Sequence, residues 1–455
     1  MAAVRLPSSN YDPRDPFGEL GSLAEQAGAV VVGTLEQRLE RPVAGTYMGS
    51  GKVVELKALA KELRADVIIF DHDLSPRQIA NIEKVVEVKV LDRSELILDI
   101  FAARATTTEA KLQVELAQLE YTYPRLRAMW THLERIVGAG GLAGIGTRGP
   151  GEQQLEIDRR LAQKKQLSLK RDLQEIQDRK RRMVQSRILD HFTVGIVGYT
   201  NAGKSTLFNT LTAGGAYADD RLFATLVTRT REWDVGGGTN VQLSDTVGFV
   251  RDLPHNLIAS FKATLEEATH AHALLIVLDV SDPAAELCYN TVTATLDELF
   301  KEVKHEEDRL AKREGDGPTT RSTWQEPRRI VLLNKIDALP DNAALLVWQR
   351  KIPGSIPIVA KQSGGPGHGE LIALIRELAE GGVQQYTIEV ALGDSRTIDV
   401  LEKRGEVSNR EYGQGTATLT VKIGKRQLDQ LRSLGARMKI AGEVSKPAGW
   451  AKREE

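Results

Sequence analysis

A multidomain α/β protein is the architecture these 455 residues predict, and three observations carry the prediction. Short apolar runs alternate with helix-length segments in two separate stretches, about 28–106 and 189–381, which is the pattern of parallel strands covered by helices. Between them, Leu112, Leu116, Leu119, Tyr123, Leu126, Trp130 and Leu133 recur at alternating spacings of four and three, a seam for packing one helix on another. From Gln384 onward the period drops to two, at Tyr386, Ile388 and Val390, so a small α+β unit is expected to close the chain.

Composition bounds what such a protein can be. Hydrophobic residues make up 41% and charged residues 27%, ordinary for a globular chain and far from the composition of disordered ones. At ~150 residues per domain the length allows about three domains. The longest apolar run near a strand signal, Ala273 to Leu278, has six residues, well short of the ~18 or more a membrane helix needs. Cys288 is the single cysteine, which excludes an internal disulfide and a multi-cysteine zinc site. Met1 to Leu20 carries Pro7, Pro13, Pro16 and scattered charges where a secretory signal would be continuously apolar. The expectation is therefore a cytoplasmic protein, a monomer with no membrane span, opening with a flexible leader over residues 1–27.

The elements follow in order. Val30-Val31-Val32, Val67 to Phe70 and Val88 to Leu91 read as strands, with helices over Gly51 to Leu63, from Ser75-Pro76 and from Ser94. These make residues 28–106 an N-terminal α/β domain. Residues 107–188 form a helical hairpin, kinked at Pro124, whose tip is the stretch Gly138 to Gly151 and whose return seam is Leu169, Leu173, Ile176 and Met183. Its second arm, residues 157–187, holds 11 Lys/Arg against 4 Asp/Glu in a chain whose net charge is only −1. A basic rod with a thin tip bearing Arg148 suits contact with RNA phosphates. Residues 189–381 form the second α/β domain, interrupted by a charged, apolar-poor insertion at 302–328 that reads as exposed and partly disordered. Residues 382–455 are the C-terminal unit, with a helix near Asp394 to Arg404, a strand at Thr416 to Ile423 and a helix from Lys425.

The chemistry sits in the second domain. Gly198-Tyr199-Thr200-Asn201-Ala202-Gly203-Lys204-Ser205 matches GxxxxGK[ST], after an apolar strand and before a helix. Backbone N–H groups of such a loop cradle phosphates, Lys204 adds a cation, and the Ser205 hydroxyl can hold magnesium. Asp245-Thr246-Val247-Gly248 follows a strand, so Asp245 can serve the magnesium shell while the Gly248 N–H meets a terminal phosphate. Asn334-Lys335-Ile336-Asp337 follows the strand Ile330 to Leu333. The Asp337 carboxylate can accept two hydrogen bonds from the ring N–H and amino group of guanine, and adenine offers no such pair, so the nucleotide is GTP and the enzyme a GTPase. Between the loop and DxxG, one of Thr225, Thr228 and Thr230 must reach magnesium; spacing alone does not choose. Phe249 stands where Ras-like enzymes carry a water-orienting glutamine, so hydrolysis is expected to be slow until a partner orders the site. Gly49 to Lys52 lacks the phosphate-loop spacing and reads as a turn before a helix. His270 and His272 read as structural histidines, and Cys288 as a buried thiol.

With these residues in view, the chain resembles the HflX family of translational GTPases. The marks are Thr46 to Val53 (TYMGSGKV), Phe70-Asp71 with Leu74-Ser75-Pro76, Leu96 to Phe101, Lys111 to Leu119, the tip Gly146 to Glu152, and the loop GYTNAGKS. The resemblance implies a ribosome-associated GTPase that binds the large ribosomal subunit and its RNA and promotes ribosome splitting or rescue, its hairpin tip reaching toward the peptidyl-transferase region. It also implies Thr225 as the switch magnesium ligand, because Phe223-Ala224-Thr225-Leu226 matches the family's FATL, and Val359-Ala360-Lys361 as the loop behind guanine. Val227 and Thr228 stand where the family usually has Asp-Pro, and Val359 replaces a serine. The implied catalytic set is Lys204, Thr225 and Gly248, and the implied metal set Ser205, Thr225 and Asp245. Two other readings suit the same residues: a GTPase of ribosome assembly or tRNA metabolism, and an RNA-binding adaptor whose nucleotide only sets its shape.

Overall fold

The computed structural model describes residues 1–7, 9, 11–139, 150–212, 228–251, 267–314, 324–413, 415–425, 428, 431 and 438–441. The phosphate-site segment Phe223 to Val227, Arg148 with the hairpin tip, and residues 315–323 of the expected insertion lie outside the described residues.

The N-terminal unit is a parallel α/β layer. Strand β1 (Ala2–Arg5) pairs in parallel with β2 (Leu35–Arg38) and meets Phe70 through a parallel bridge, which joins it to β3 (Val67–Ile69) and β4 (Lys89–Leu91). The spatial order is β2-β1-β3-β4. Around it lie α1 (Gly18–Gln26), α2 (Ser50–Glu62), α3 (Pro76–Val86) and α4 (Arg93–Arg104). Helix α3 starts where Ser75-Pro76 announced it, with a capping box between Ser75 and Gln78.

Two expectations for this region are corrected. Residues 1–27 are not a flexible leader: Ala2, Ala3 and Val4 are fully buried, and α1 sends Leu20, Leu23 and Ala24 into the core. A four-residue strand has almost no periodicity to read, and its stability comes from pairing with residues more than thirty positions away. Nor are Val30 to Val32 a strand. Val30 is 85% and Val32 52% exposed, and the edge position belongs to Leu35–Arg38.

Helices α5 (Thr108–Ala139) and α6 (Pro150–Asp190) form the hairpin, and α5 runs as one helix through Pro124. Leu116, Leu169 and Leu173 are buried between the arms. Lys165 pairs with Glu115 at 2.9 Å, Lys170 with Glu120 at 2.7 Å, and Arg159 Nε donates to Tyr123 Oη at 3.2 Å. Leu116 packs with Leu169 and Leu173 whereas Tyr123, further along α5, meets Arg159, earlier on α6, so the arms are antiparallel.

The central domain is a six-stranded sheet in the order β10-β9-β8-β5-β7-β6, comprising β5 (Phe192–Gly198), β6 (Arg229–Asp234), β7 (Asn240–Asp245), β8 (Ala273–Asp279), β9 (Arg328–Asn334) and β10 (Ile356–Ile358). All neighbours are parallel except β6, which runs antiparallel on the edge. The unbroken apolar run of β8 fits a strand covered on both faces. Helices α7 (Lys204–Leu211) and α10 (His368–Glu380) cover one face, and α8 (Ala285–Glu314) the other; α9 (Asn342–Lys351) connects β9 to β10.

Helix α8 corrects the reading of the insertion. It continues through residues 302–314, with Val303 buried, and His270 Nε2 lies 3.4 Å from Glu307 Oε1. The scarcity of apolar residues there marks a solvated helix face rather than missing structure. The C-terminal unit carries β11 (Val383–Ala391), α11 (Ser395–Arg404), β12 (Glu406–Tyr412), β13 (Thr416–Gly424) and β14 (Met438–Ala441) in an antiparallel sheet ordered β12-β13-β11-β14.

Candidate functional site: a phosphate loop and its base pocket

The loop between β5 and α7 occupies the carboxyl end of the parallel sheet, where ligands bind in open α/β folds. Lys204 is buried and its ammonium donates to the Tyr199 carbonyl at 2.7 Å. Burial lowers its pKa to about 8, with Asp245 opposing the shift. Gly203 takes φ +97°, and a Cβ there would stand 2.3 Å from Asn334 Nδ2. A Cβ on Gly248 would stand 2.8 Å from Lys204 Nζ. The glycines at these two positions are therefore favoured by close approach, one to the Asn334 amide and one to the Lys204 ammonium.

Ser205 Oγ donates to Asp245 Oδ2 at 2.7 Å, and Asp245 is fully buried. A hydroxyl and a carboxylate so close form the hard oxygen donor set that magnesium takes. Thr246 points elsewhere: its hydroxyl donates to the Ile196 carbonyl at 2.7 Å and ties β7 to β5. Phe249 is buried among Val197, Ala268, Leu274 and Ile276 on the α8 side of the sheet, so its ring is a core group. Its main chain pairs with the phosphate loop, Phe249 N donating to Gly198 O at 3.1 Å and Thr200 N to Phe249 O at 2.8 Å.

Asn334 ties the end of β9 to the loop after β5 and to the segment after β10. Its Nδ2 donates to Ala202 O at 2.7 Å and its Oδ1 accepts from Ala360 N at 2.9 Å. Lys335 adopts φ +62° and pairs with Asp279 at 2.6 Å, and Ile336 opens a short 3₁₀ turn. Asp337 pairs with Lys361 at 2.5 Å, which holds its carboxyl below the usual range. Val359 and Ala360 are buried. Cys288 is a buried thiol pushed up to about 12 by desolvation.

Sequence reasoning missed what lies behind this site. Val247 and Val250 are buried in the N-terminal core with Leu20, Leu96, Ile97 and Phe101. Arg251 donates to both oxygens of Asp71 at 3.0 Å, and Asp71 also takes Arg5 at 2.9 Å and Arg93 at 2.8 Å. Arg93 in turn donates to the Arg251 carbonyl and pairs with Glu19 at 2.9 Å. Burial alone would raise the Asp71 pKa, but Arg93, Arg251 and Arg5 hold it below the ordinary value. The motif Phe70-Asp71 marked one end of this network; no spacing rule pairs residues 180 positions apart.

A parallel sheet carrying a phosphate loop, a DxxG strand end and an NKxD strand end defines a P-loop GTPase. Comparison with known proteins agrees along most of the chain. Residues 14–102 match the family model described as GTP-binding GTPase N-terminal, residues 104–187 the GTP-binding GTPase Middle Region, and residues 193–312 the 50S ribosome-binding GTPase. The chain is 40% identical to GTPase HflX of Magnetococcus marinus over 91% of its own length and 89% of that protein's. It is 40% identical to GTPase HflX of Escherichia coli K12 over 83% and 82%. A solved GTP-binding protein of Sulfolobus solfataricus, in complex with GDP, is 24% identical, covering 83% of this chain and 99% of its own, with a TM-score of 0.39. The chain belongs to the HflX GTPase family and hydrolyses GTP. Among the described residues, no helix is long and apolar enough to cross a membrane.

Proposed function

We propose that this GTPase binds the large ribosomal subunit through its basic hairpin and that GTP controls the binding so as to split or rescue ribosomes in the cytoplasm, the protein acting as a monomer. The observation that carries the reading is physical continuity from site to hairpin. Val247, Val250 and Arg251, which flank Gly248 and Phe249 just past β7, are buried against the N-terminal unit. There Asp92 caps α4 and accepts a hydrogen bond from Tyr121 on α5, the first arm of the hairpin. A rearrangement on hydrolysis at Gly248 would reach the hairpin through packed groups rather than a loose linker.

In this reading Lys204 offsets phosphate charge, Ser205, Thr225 and Asp245 hold magnesium, the Gly248 N–H senses the terminal phosphate, and Asn334 with Asp337 selects guanine against the loop Val359 to Lys361. Magnesium would supply charge neutralisation of the phosphates. GTP turnover at fixed salt, with and without purified large subunits and with ATP as control, tests the proposal. Stimulation of about tenfold or more for GTP alone, roughly 1.4 kcal/mol off the barrier, is expected. Equal slow rates in all conditions would overturn it.

A further inference from the structure

We propose that the Tyr199 hydroxyl is a positioning group through which the docked N-terminal unit holds the phosphate loop, so that GDP release is governed by the Tyr199–Glu19 hydrogen bond. The loop pattern GxxxxGK[ST] accepts any residue at this position, so phosphate chemistry does not require a tyrosine. The backbone of Tyr199 belongs to the cradle: its carbonyl accepts from Lys204 Nζ at 2.7 Å, and its peptide bridges to Phe249. Its side chain leads out of the cradle. The hydroxyl donates to Glu19 Oε1 at 2.5 Å and accepts from the Arg251 N–H at 2.7 Å.

Both capacities of the oxygen are thus used, one on α1 of the N-terminal unit and one on the chain just past DxxG. Glu19 is itself fixed, since Arg93 pairs with it at 2.9 Å and Arg251 Nε lies 3.6 Å away. Next to Glu19 on α1, Leu20 is buried in the core that also takes Val247 and Val250. Burial and the nearby Glu19 carboxylate keep the phenol protonated, so it remains a donor to Glu19 at any ordinary pH. A phenylalanine would fill the same space but would lose the hydrogen bond by which the loop that holds Lys204 reaches Glu19 on the docked unit. This tie shares Arg251 and Arg93 with the Asp71 network but runs through the phosphate loop itself.

The test uses the full chain loaded with a fluorescent GDP analogue and chased with excess GDP, comparing Tyr199→Phe, Glu19→Ala and the double variant. Each single change is expected to speed release by about threefold or more, and the double variant to match the faster single rather than the product, as for partners in one hydrogen bond. Leu23→Ala, a core change in the same unit that does not touch the loop, controls for general loosening. A Tyr199→Phe rate within about 1.5-fold of the parent, multiplicative singles, or equal acceleration by Leu23→Ala at a matched melting loss would each overturn the proposal.

Discussion

Gly248 and Phe249 sit side by side in the chain and answer to different constraints. Gly248 is a glycine because Lys204 Nζ and Thr200 leave no room for a Cβ. Gly248→Ala is expected to displace the lysine and weaken binding of a fluorescent GTP analogue by roughly tenfold or more, comparable to losing a hydrogen bond to a charged group. Phe249 is 3% exposed within the α8-side core. Phe249→Ala is expected to cost about 3–5 kcal/mol of stability, read by denaturant unfolding, because it leaves a cavity among Val197, Leu274 and Ile276. The motif letters were legible in the sequence, since phosphate and guanine chemistry dictate them. That Thr246 faces Ile196 and Phe249 faces the core was not, because a strand's alternation does not name which sheet face will be covered.

At the scale of elements, the hairpin separates packing from charge. The 4,3 spacing was readable and the seam Leu116, Leu169 and Leu173 closes as that spacing requires. Leu169→Ala is expected to loosen the arms, seen as faster amide exchange near residues 112–119 and 165–173, while GTP turnover of the protein alone stays unchanged. Some lysines of α6 serve the hairpin, Lys165 and Lys170 among them; Lys164 and Arg171 are exposed. Lys164→Glu with Arg171→Glu is expected to weaken large-subunit binding and to lower the slope of log affinity against log salt by about two. The weak signals were the short strands: β1 and the residues 30–32 exchanged the roles that their composition suggested, because a strand of four residues is selected by its neighbours.

Across the whole molecule, one buried carboxylate joins two units. Asp71 is 1% exposed and meets Arg5, Arg93 and Arg251. Replacing it by Ala leaves these cations facing one another without their shared anion, and a loss of about 3–5 kcal/mol is expected on unfolding. Its pKa is lowered on folding, so its contribution is present above the ordinary value of 3.8 and is lost as pH falls below that value through the folded one. The difference in stability between the parent and Asp71→Asn should therefore shrink on acidification below about pH 3.8, measured by denaturant titrations at stepped pH.

The sequence by itself determined the nucleotide chemistry, the α/β class and the hairpin, because each is written in local terms: a glycine loop after a strand, a carboxylate after another, a repeat of seven. Only the tertiary structure decided that Ala2, Val4, Leu20, Leu23 and Ala24 belong to the core, that Val247, Val250 and Arg251 are gripped by a different unit, and that Tyr199 faces Glu19. Those outcomes depend on pairings between residues up to 232 positions apart, and burial of charge against charge over such separations leaves no periodic trace in the chain.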